Sequence, residues 1–378
     1  MSPVIIEKVD VRRVSIPLER PYIFGRGSVH EFDNIVATVF TTDGLAGVGE
    51  CVTKALVTDI NEAGRVIRDR LVPRIIGKRA SDVESIIREL QPHAGEDKAT
   101  LSAIDLALWD LAGRAYGVPS YVLLGGKYTD RIPVDYTIAL DAPEAMAAKA
   151  LAMMGKGYRT FVVKTSKDIP GAIARVSAVR RAVGDDIRLR VDANASYSLA
   201  EALEFMVAVE PFDLEFIEQP IRPGDIAGLE ELARKTGVPI CIDEGLTTPS
   251  EAIGLAKSGA VSVFNVGVPK VGGLLLAKRI AAIAEAADIP CILGGRLAYE
   301  VARMAGRHFV ASTPIACTGL AHTGAGPASQ ALTGNITKDV VTYEDIADCR
   351  GFVALGEGPG LGFEIDQASL DRYTRPIL

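Results

Sequence analysis

From Arg131 onward, short continuous apolar runs alternate with Ala-rich amphipathic stretches, with a repeat of about 25 residues. The apolar runs are Ile132–Ile138, Thr160–Lys164, Ile187–Asp192, Leu214–Glu218, Pro239–Asp243, Val261–Val266, Pro290–Leu293 and, weakest of all, Pro314–Cys317. The stretches between them, such as 142–154, 199–209 and 274–287, read as helices. Strands that are apolar throughout are buried on both faces, so the pattern predicts a parallel sheet covered by helices. No GxGxxG follows an early strand, and polar residues fall at every strand end instead of at one switch point. These two features favour a closed α/β (β/α) barrel over an open doubly wound sheet.

The N-terminal part has a different rhythm. Residues 4–16 and 34–51 alternate apolar and polar positions, and Asp43-Gly44 sits where a tight hairpin turn needs positive φ. Ala99–Tyr116 carries Leu101, Ile104, Leu108, Leu111 and Ala115 along one helical face, and Gly117 and Pro119 end it. Residues 1–126 therefore read as an α+β unit and 127–339 as the barrel. The Gly-rich, strand-like segment 351–365 has no evident barrel role, and residues from about 340 to 378 are expected to return onto the N-terminal unit.

Bulk properties narrow the function by exclusion. The net charge is -7 over 378 residues with no local Lys/Arg cluster, so nucleic acid is not an expected partner. No apolar run reaches bilayer length and the start lacks a signal-peptide core, which gives no membrane partner and a cytoplasmic location as expectations. Cys51, Cys241, Cys291, Cys317 and Cys349 are odd in number and never form CxxC, as in a reduced intracellular protein.

The chemistry lies at the strand ends. Asp192, Glu218 and Asp243 close three consecutive apolar runs, and Lys164 closes the run before them. In a parallel barrel all four face the rim where such barrels perform catalysis. The acids offer oxygen alone, a donor set that selects Mg2+, with Mn2+ possible, over zinc or copper. Three anions on neighbouring strand tips repel one another unless a cation sits between them. Strand-end acids also serve as helix caps, but three at matched positions weaken that alternative. Asn194 and Glu244 flank the acids as supporting or substrate-contacting groups. Lys164, beside a dication and away from water, is expected to lose its proton more readily than a free amine; the alternative is a lysine that merely offsets the acids' charge.

The segments SAIDLALWDLAGRAYGVPSYVLLGG (102–126), VVK (162–164), VDAN (191–194), IEQP (217–220), IDE (242–244) and KVGG (270–273) together resemble the muconate-lactonizing-enzyme subgroup of the enolase superfamily. The resemblance spans essentially the whole chain. It implies a capped (β/α) barrel, a small-molecule carboxylate substrate, Mg2+ held by Asp192, Glu218 and Asp243, Lys164 as the catalytic base, and a homo-oligomer. Two positions depart from the family pattern. The first lysine of KxK is Val162, and the position of the family's sixth-strand lysine is Gly267.

With lysines on both faces, a site moves a proton from one side of the α-carbon to the other. With Lys164 alone, the expected outcome is removal of the α-proton and expulsion of a β-hydroxyl on the same face. Among resembling enzymes this is most similar to cis-3-hydroxy-L-proline dehydratase, a hydro-lyase forming a pyrroline-2-carboxylate. Gly267 is expected either to open space opposite the base or to relax a turn, and Lys270, three residues on, to lie past the strand end. Tyr22, Phe24 and Arg26 in RPYIFGRG, with Thr53 and Lys54, are candidate lid contacts with substrate or, alternatively, interdomain packing. His322, in GLAHTGAG, is placed near the rim as a possible substrate contact; His308 is expected to be structural, and His30 and His93 carry no assignment. The rivals are a one-base cycloisomerase or o-succinylbenzoate-synthase-like enzyme, for which a roomy cap would speak, an amino-acid racemase or epimerase with an unrecognised second base, and an inactive ligand-binding barrel.

Overall fold

A computed structural model describes residues 4–24, 27–327, 332–338 and 340–378. The N-terminal unit is an antiparallel sheet of β1 (Ile6–Phe24), β2 (Gly27–Thr41) and β3 (Ala46–Cys51), joined at the β1 edge by a short C-terminal strand, Thr374–Arg375. Of two helices, α1 (Val83–Leu90) and α2 (Ala99–Tyr116), α2 packs on the sheet and α1 packs against α2. The β2–β3 turn is the Asp43-Gly44 hairpin, with Gly44 at φ 86°. The first strand runs further than alternation predicted, because β1 and β2 stay paired out to Phe24↔Gly27.

Close approach of β3 to α2 is possible only because two residues on one face of the strand are glycines. A Cβ at Gly47 would lie 2.2 Å from the Ala107 carbonyl oxygen, and one at Gly49 2.2 Å from that of Ala103. These positions are two apart on a strand and four apart on a helix, so the two periodicities mesh.

The barrel sheet is parallel and seven-stranded. Its strands in order are β5 (Tyr136–Ile138), β6 (Thr160–Lys164), β7 (Arg188–Asp192), β8 (Phe216–Glu218), β9 (Ile240–Ile242), β10 (Val263–Asn265) and β11 (Cys291–Ile292), and β4 (Arg131–Pro133) precedes them. The outer helices are α3 (Pro143–Gly155), α4 (Ile169–Val183), α5 (Leu199–Val209), α6 (Ile226–Lys235), α7 (Pro249–Ser258), α8 (Leu274–Ala286) and α9 (Glu300–Ala311). Local sequence starts several of them: Ser198 with Glu201 and Thr248 with Glu251 form capping boxes, and Asp168 and Asp225 cap α4 and α6. Inside the barrel, Phe216, Cys241, Val263 and Ile292 form an apolar layer, and the buried Arg190 guanidinium lies 4.6 Å over the Phe216 ring. Arg190 also pairs with Asp135 at 2.7 Å and Glu215 at 2.5 Å.

Three expectations need correction. Pro314–Ala316 is a 3-10 turn, and no eighth strand forms among the described residues. The gap between the first and last strands is bridged by residues 322–324: His322 N–H donates to the Pro133 carbonyl at 2.9 Å and Gly324 N–H to that of Leu293 at 3.0 Å. Of the Gly-rich segment, only Phe352–Ala354 is a strand, antiparallel to β4. The rest returns to α2, where Leu361 N–H donates to Asp110 at 2.8 Å and Arg114 donates to the Phe363 carbonyl.

The N-terminal unit is bolted to the barrel by carboxylates. Helices α8 and α9 begin at Gly273 and Tyr299 and have no side-chain cap of their own. Asp105, from α2, accepts the Leu274 and Leu275 N–H groups at 2.5 and 3.4 Å. Glu50, from β3, accepts those of Tyr299 and Ala302 at 2.8 and 3.0 Å. A helix start is partially positive, which suits an anion there. Burial nevertheless pushes both carboxyls up to about 7, against the pull of those N–H groups. No helix among the described residues is long and apolar enough to cross a membrane.

Candidate active site

Lys164, Asp192 and Glu218 are direct cross-strand neighbours at the ends of β6, β7 and β8, and Asp243 stands one residue beyond β9. Because alternate strand residues share a face, Val162, Arg190 and Phe216 form the layer beneath them. The chain then turns sharply: Asn194, Ala195 and Gln219 have φ of 46°, 56° and 40°. Such left-handed conformations at ordinary residues cost roughly 1–3 kcal/mol each and cluster at functional sites. Side chains fix the turns. Asn194 N–H donates to Asp192 Oδ1 at 2.8 Å, and Gln219 Oε1 accepts the Asp243 and Gly245 N–H groups at 3.2 and 2.9 Å.

Each acid already has an internal partner. Lys164 Nζ donates to Asp192 Oδ2, and to Asn194 Oδ1 at 3.0 Å. Asn265 Nδ2 donates to Glu218 Oε1 at 2.9 Å. Lys270 Nζ donates to Asp243 Oδ1 at 2.6 Å. Asn194 also reaches Glu244 Oε1, at 3.5 Å. With these partners in place, no three of His, Cys, Asp and Glu among the described residues are grouped so that they could hold a metal ion. The donor set nonetheless suits a hard dication. Burial, with repulsion from Asp192 and Asp243, drives the Glu218 carboxyl well above the usual range, and burial with the same neighbours pushes Glu244 up to about 7. A cation among these oxygens would relieve that repulsion.

The expected fall in the Lys164 pKa is not found in the chain alone. Burial does push it down, but Asp192, Tyr22 and Glu218 together outweigh burial, and the net direction is upward. Asp243 moves the other way from Glu218: burial raises it, but the Lys270 ammonium brings it below the ordinary value.

Lys270 lies past the strand end, as its spacing predicts, but the direction of its side chain was missed. It lies in the short helix Val268–Val271, yet its side chain folds back into the site, 3% exposed. Gly267 neither opens a space nor relaxes a turn. Its φ of −78° and ψ of 106° suit any L-residue, and the three atoms nearest a Cβ built there are Lys270 Cβ, Cε and Cδ, at 3.2, 3.5 and 3.8 Å. The KVGG motif held the clue in the lysine itself, but not in the direction of its side chain.

His322 is also reassigned. It is buried, its Nδ1 accepts the Leu293 N–H at 2.9 Å, and burial lowers its pKa to about 3. It is a neutral pin in the barrel closure and is not among the residues that line the cavity over the rim. His308 is buried, accepting the Tyr121 N–H at 3.0 Å. Tyr22 and Lys54 line a cavity of about 780 Å3 over the rim, together with Thr53, Arg296 and Tyr136. Burial raises the Tyr22 phenol, against the opposing pull of Lys164. The Phe24 side chain and Arg26 lie outside the described residues.

Acids and a lysine gathered on successive strand tips beneath a cap are the arrangement of a barrel enzyme's catalytic rim. Residues 6–125 match the family model for the mandelate racemase/muconate lactonizing enzyme N-terminal domain, and residues 145–369 match the enolase C-terminal domain-like model. The chain belongs to the enolase superfamily, in its mandelate racemase/muconate lactonizing enzyme branch. It is 31% identical to N-succinyl-L-Arg/Lys racemase of Bacillus cereus over 98% of both chains. The crystal structure of that racemase superposes with TM-score 0.91 at 30% identity, covering 98% of each chain. A dipeptide epimerase from Enterococcus faecalis, solved with Mg and the dipeptide L-Leu-L-Tyr, gives TM-score 0.88 at 30% identity, over 95% of this chain and 99% of that one. Muconate cycloisomerase 1-1 of Acinetobacter lwoffii is 29% identical over 99% of this chain and 98% of its own. None of these three is named as a hydroxyproline dehydratase.

Proposed function

We propose that the protein uses Lys164 as a one-face base to take the α-proton of a small carboxylate and expel a β-hydroxyl on the same face. The observation that carries this reading is the inequality of the two site lysines. Both line the cavity, but among the described residues Lys164 Nζ donates to two side chains, Asp192 and Asn194. Lys270 has three N–H donors and three protein acceptors for them: Asp243 O and Oδ1, each at 2.6 Å, and Asn265 O at 2.8 Å. No direction remains on Lys270 Nζ for a substrate proton.

Asp192, Glu218 and Asp243 would hold Mg2+, as named for the Enterococcus relative, or Mn2+, which when bound supplies positive charge to the carboxylate oxygens as the enolate forms. With Asp192 engaged elsewhere, Lys164 loses the main partner that keeps it protonated, and burial then lowers its pKa towards a working base. The amine removes the α-proton, a C=C bond forms as the C–O bond breaks, and the new ammonium returns its proton to the departing hydroxyl as water. 3-Hydroxy-L-proline, giving a pyrroline-2-carboxylate, is the first substrate to try, as both isomers. The α-hydrogen and hydroxyl share a ring face only in the trans isomer, so same-face elimination by Lys164 selects it. Turnover of the cis isomer would require a proton donor on the face opposite Lys164. Tyr22 and Lys54, on the cap side of the cavity, are placed to contact the substrate, with Asn194 and Glu244 on the barrel side.

Two observations favour a second reading, a racemase, epimerase or one-base cycloisomerase. The cavity is large enough for a drug-sized ligand, and the relatives' names are of those kinds. Incubation with Mg2+ in deuterated water separates the readings. Elimination gives a pyrroline and no deuterated epimer of the substrate; epimerisation gives the epimer deuterated at the α-carbon, and cycloisomerisation a ring-closed isomer carrying one solvent deuteron at the α-carbon. Lys164→Ala should lower turnover about 100- to 10,000-fold. No α-hydrogen loss from any β-hydroxy carboxylate would remove the elimination reading.

A further inference from the structure

We infer that Gly267 and Lys270 act as one unit, a brace that fixes the Asp243 and Glu218 carboxylates, and that Lys270 is a positioning residue. This rests on the metal-binding part of the proposed function.

Three facts about the backbone and packing carry it. First, the Gly267 backbone is extended and unstrained, so glycine is not there for its conformational freedom. The three nearest atoms around a Cβ there all belong to Lys270: its Cβ at 3.2 Å is tight and its Cε and Cδ at 3.5 and 3.8 Å are in ordinary contact, so a side chain at 267 presses on the Lys270 stem, and the more so the larger it is. Second, the ammonium ties together the tips of β9 and β10. It holds the backbone carbonyl and the carboxylate of Asp243 and the backbone carbonyl of Asn265. Third, the Asn265 side chain goes on to hold Glu218 Oε1 at 2.9 Å. One lysine therefore sets the orientation of Asp243 directly and that of Glu218 through Asn265. With Oδ1 of Asp243 on the ammonium, Oδ2 remains for another cation.

Side chains that orient metal ligands typically contribute about 10- to 100-fold to metal affinity when removed. The test is calorimetric titration of the purified protein with Mg2+, run on wild type, Lys270→Met, Gly267→Ala, Gly267→Val and Lys164→Ala, alongside α-hydrogen exchange at increasing Mg2+. Lys270→Met and Gly267→Val should each weaken Mg2+ binding at least tenfold, Gly267→Ala by less, and excess Mg2+ should restore most of their exchange rate. Lys164→Ala should bind Mg2+ nearly as wild type does and not be rescued. The Gly267 variants retain the lysine, so they test the brace even where Lys270→Met fails to fold. Wild-type Mg2+ affinity in Gly267→Val would overturn the coupling. Normal affinity in Lys270→Met with exchange lost at every Mg2+ concentration would make Lys270 a base instead. Absence of Mg2+ binding by wild type would be a distinct failure, that of the metal reading itself.

Discussion

Replacing Glu50 by Gln tests how the two units are joined. Glu50 Oε1 accepts from Asn34 Nδ2 and Tyr299 N, both at 2.8 Å, and Oε2 accepts from Ala302 N at 3.0 Å. An amide of the same shape turns one acceptor into a donor facing an N–H, an offset of about 1–3 kcal/mol that does not depend on pH. The charge effect does depend on pH. The carboxyl is raised from 4.5 to about 7 in the folded protein. A group raised in this way contributes stability that is complete below its unfolded pKa and declines as pH rises through the folded one. Between pH 5.5 and 8 the decline amounts to roughly 2 kcal/mol, at 1.36 kcal/mol per pKa unit. Glutamine cannot ionise, so the stability difference between wild type and Glu50→Gln should shrink by that amount across the interval. Buried His308 and His322, lowered to about 4 and 3, impose an opposite slope on the wild type, but they are common to both proteins and cancel in the difference. Urea denaturation at matched pH values measures it. A difference constant from pH 5.5 to 8 would refute the assignment of Glu50 as a titrating interdomain cap.

Further outcomes follow from other parts of the structure. Mg2+ should raise the melting temperature more at pH 8 than at pH 6, since Glu244, raised to about 7 beside the ligands, carries its full negative charge only at the higher pH; calorimetric scans with Mg2+ and with EDTA measure the gain, and equal gains would contradict the crowded-carboxylate account. His322→Phe removes the acceptor for Leu293 N–H and should lower stability by about 1–3 kcal/mol in urea titrations, with the substrate Kd unchanged. Arg190→Met strands Asp135, which is buried with its raised carboxyl, and should lower stability by about 3–5 kcal/mol; a variant as stable as wild type would show that the core pair contributes little.

Much of the site was legible because strand chemistry is local. Thr160–Lys164 and Leu199–Val209 have the same limits in sequence and structure, and the acids closing β7 and β8 are neighbours through the ladder itself. What escaped depends on side chains reaching between elements. Lys270 lies past the strand end, as its position predicts, but nothing in the sequence says that its stem folds back over Gly267. His322 reads as a loop residue because its partner is a backbone N–H from another strand. Glu50 is an ordinary acid in an alternating strand, and its place at a helix start 249 positions away leaves no periodic trace. Pro314–Cys317 is apolar enough for a strand, but the closure of the barrel falls to residues 322–324 instead.

That closure makes the rim uneven. The acids and Lys164 stand on strands zipped by continuous ladders, whereas the first and last strands are basted together through His322 and Gly324 by three amide hydrogens. The wall on that side can be re-cut without shifting a single ligand-bearing strand. One scaffold can thus keep its proton chemistry while its choice of molecule drifts, and amide exchange should run fastest along this hem.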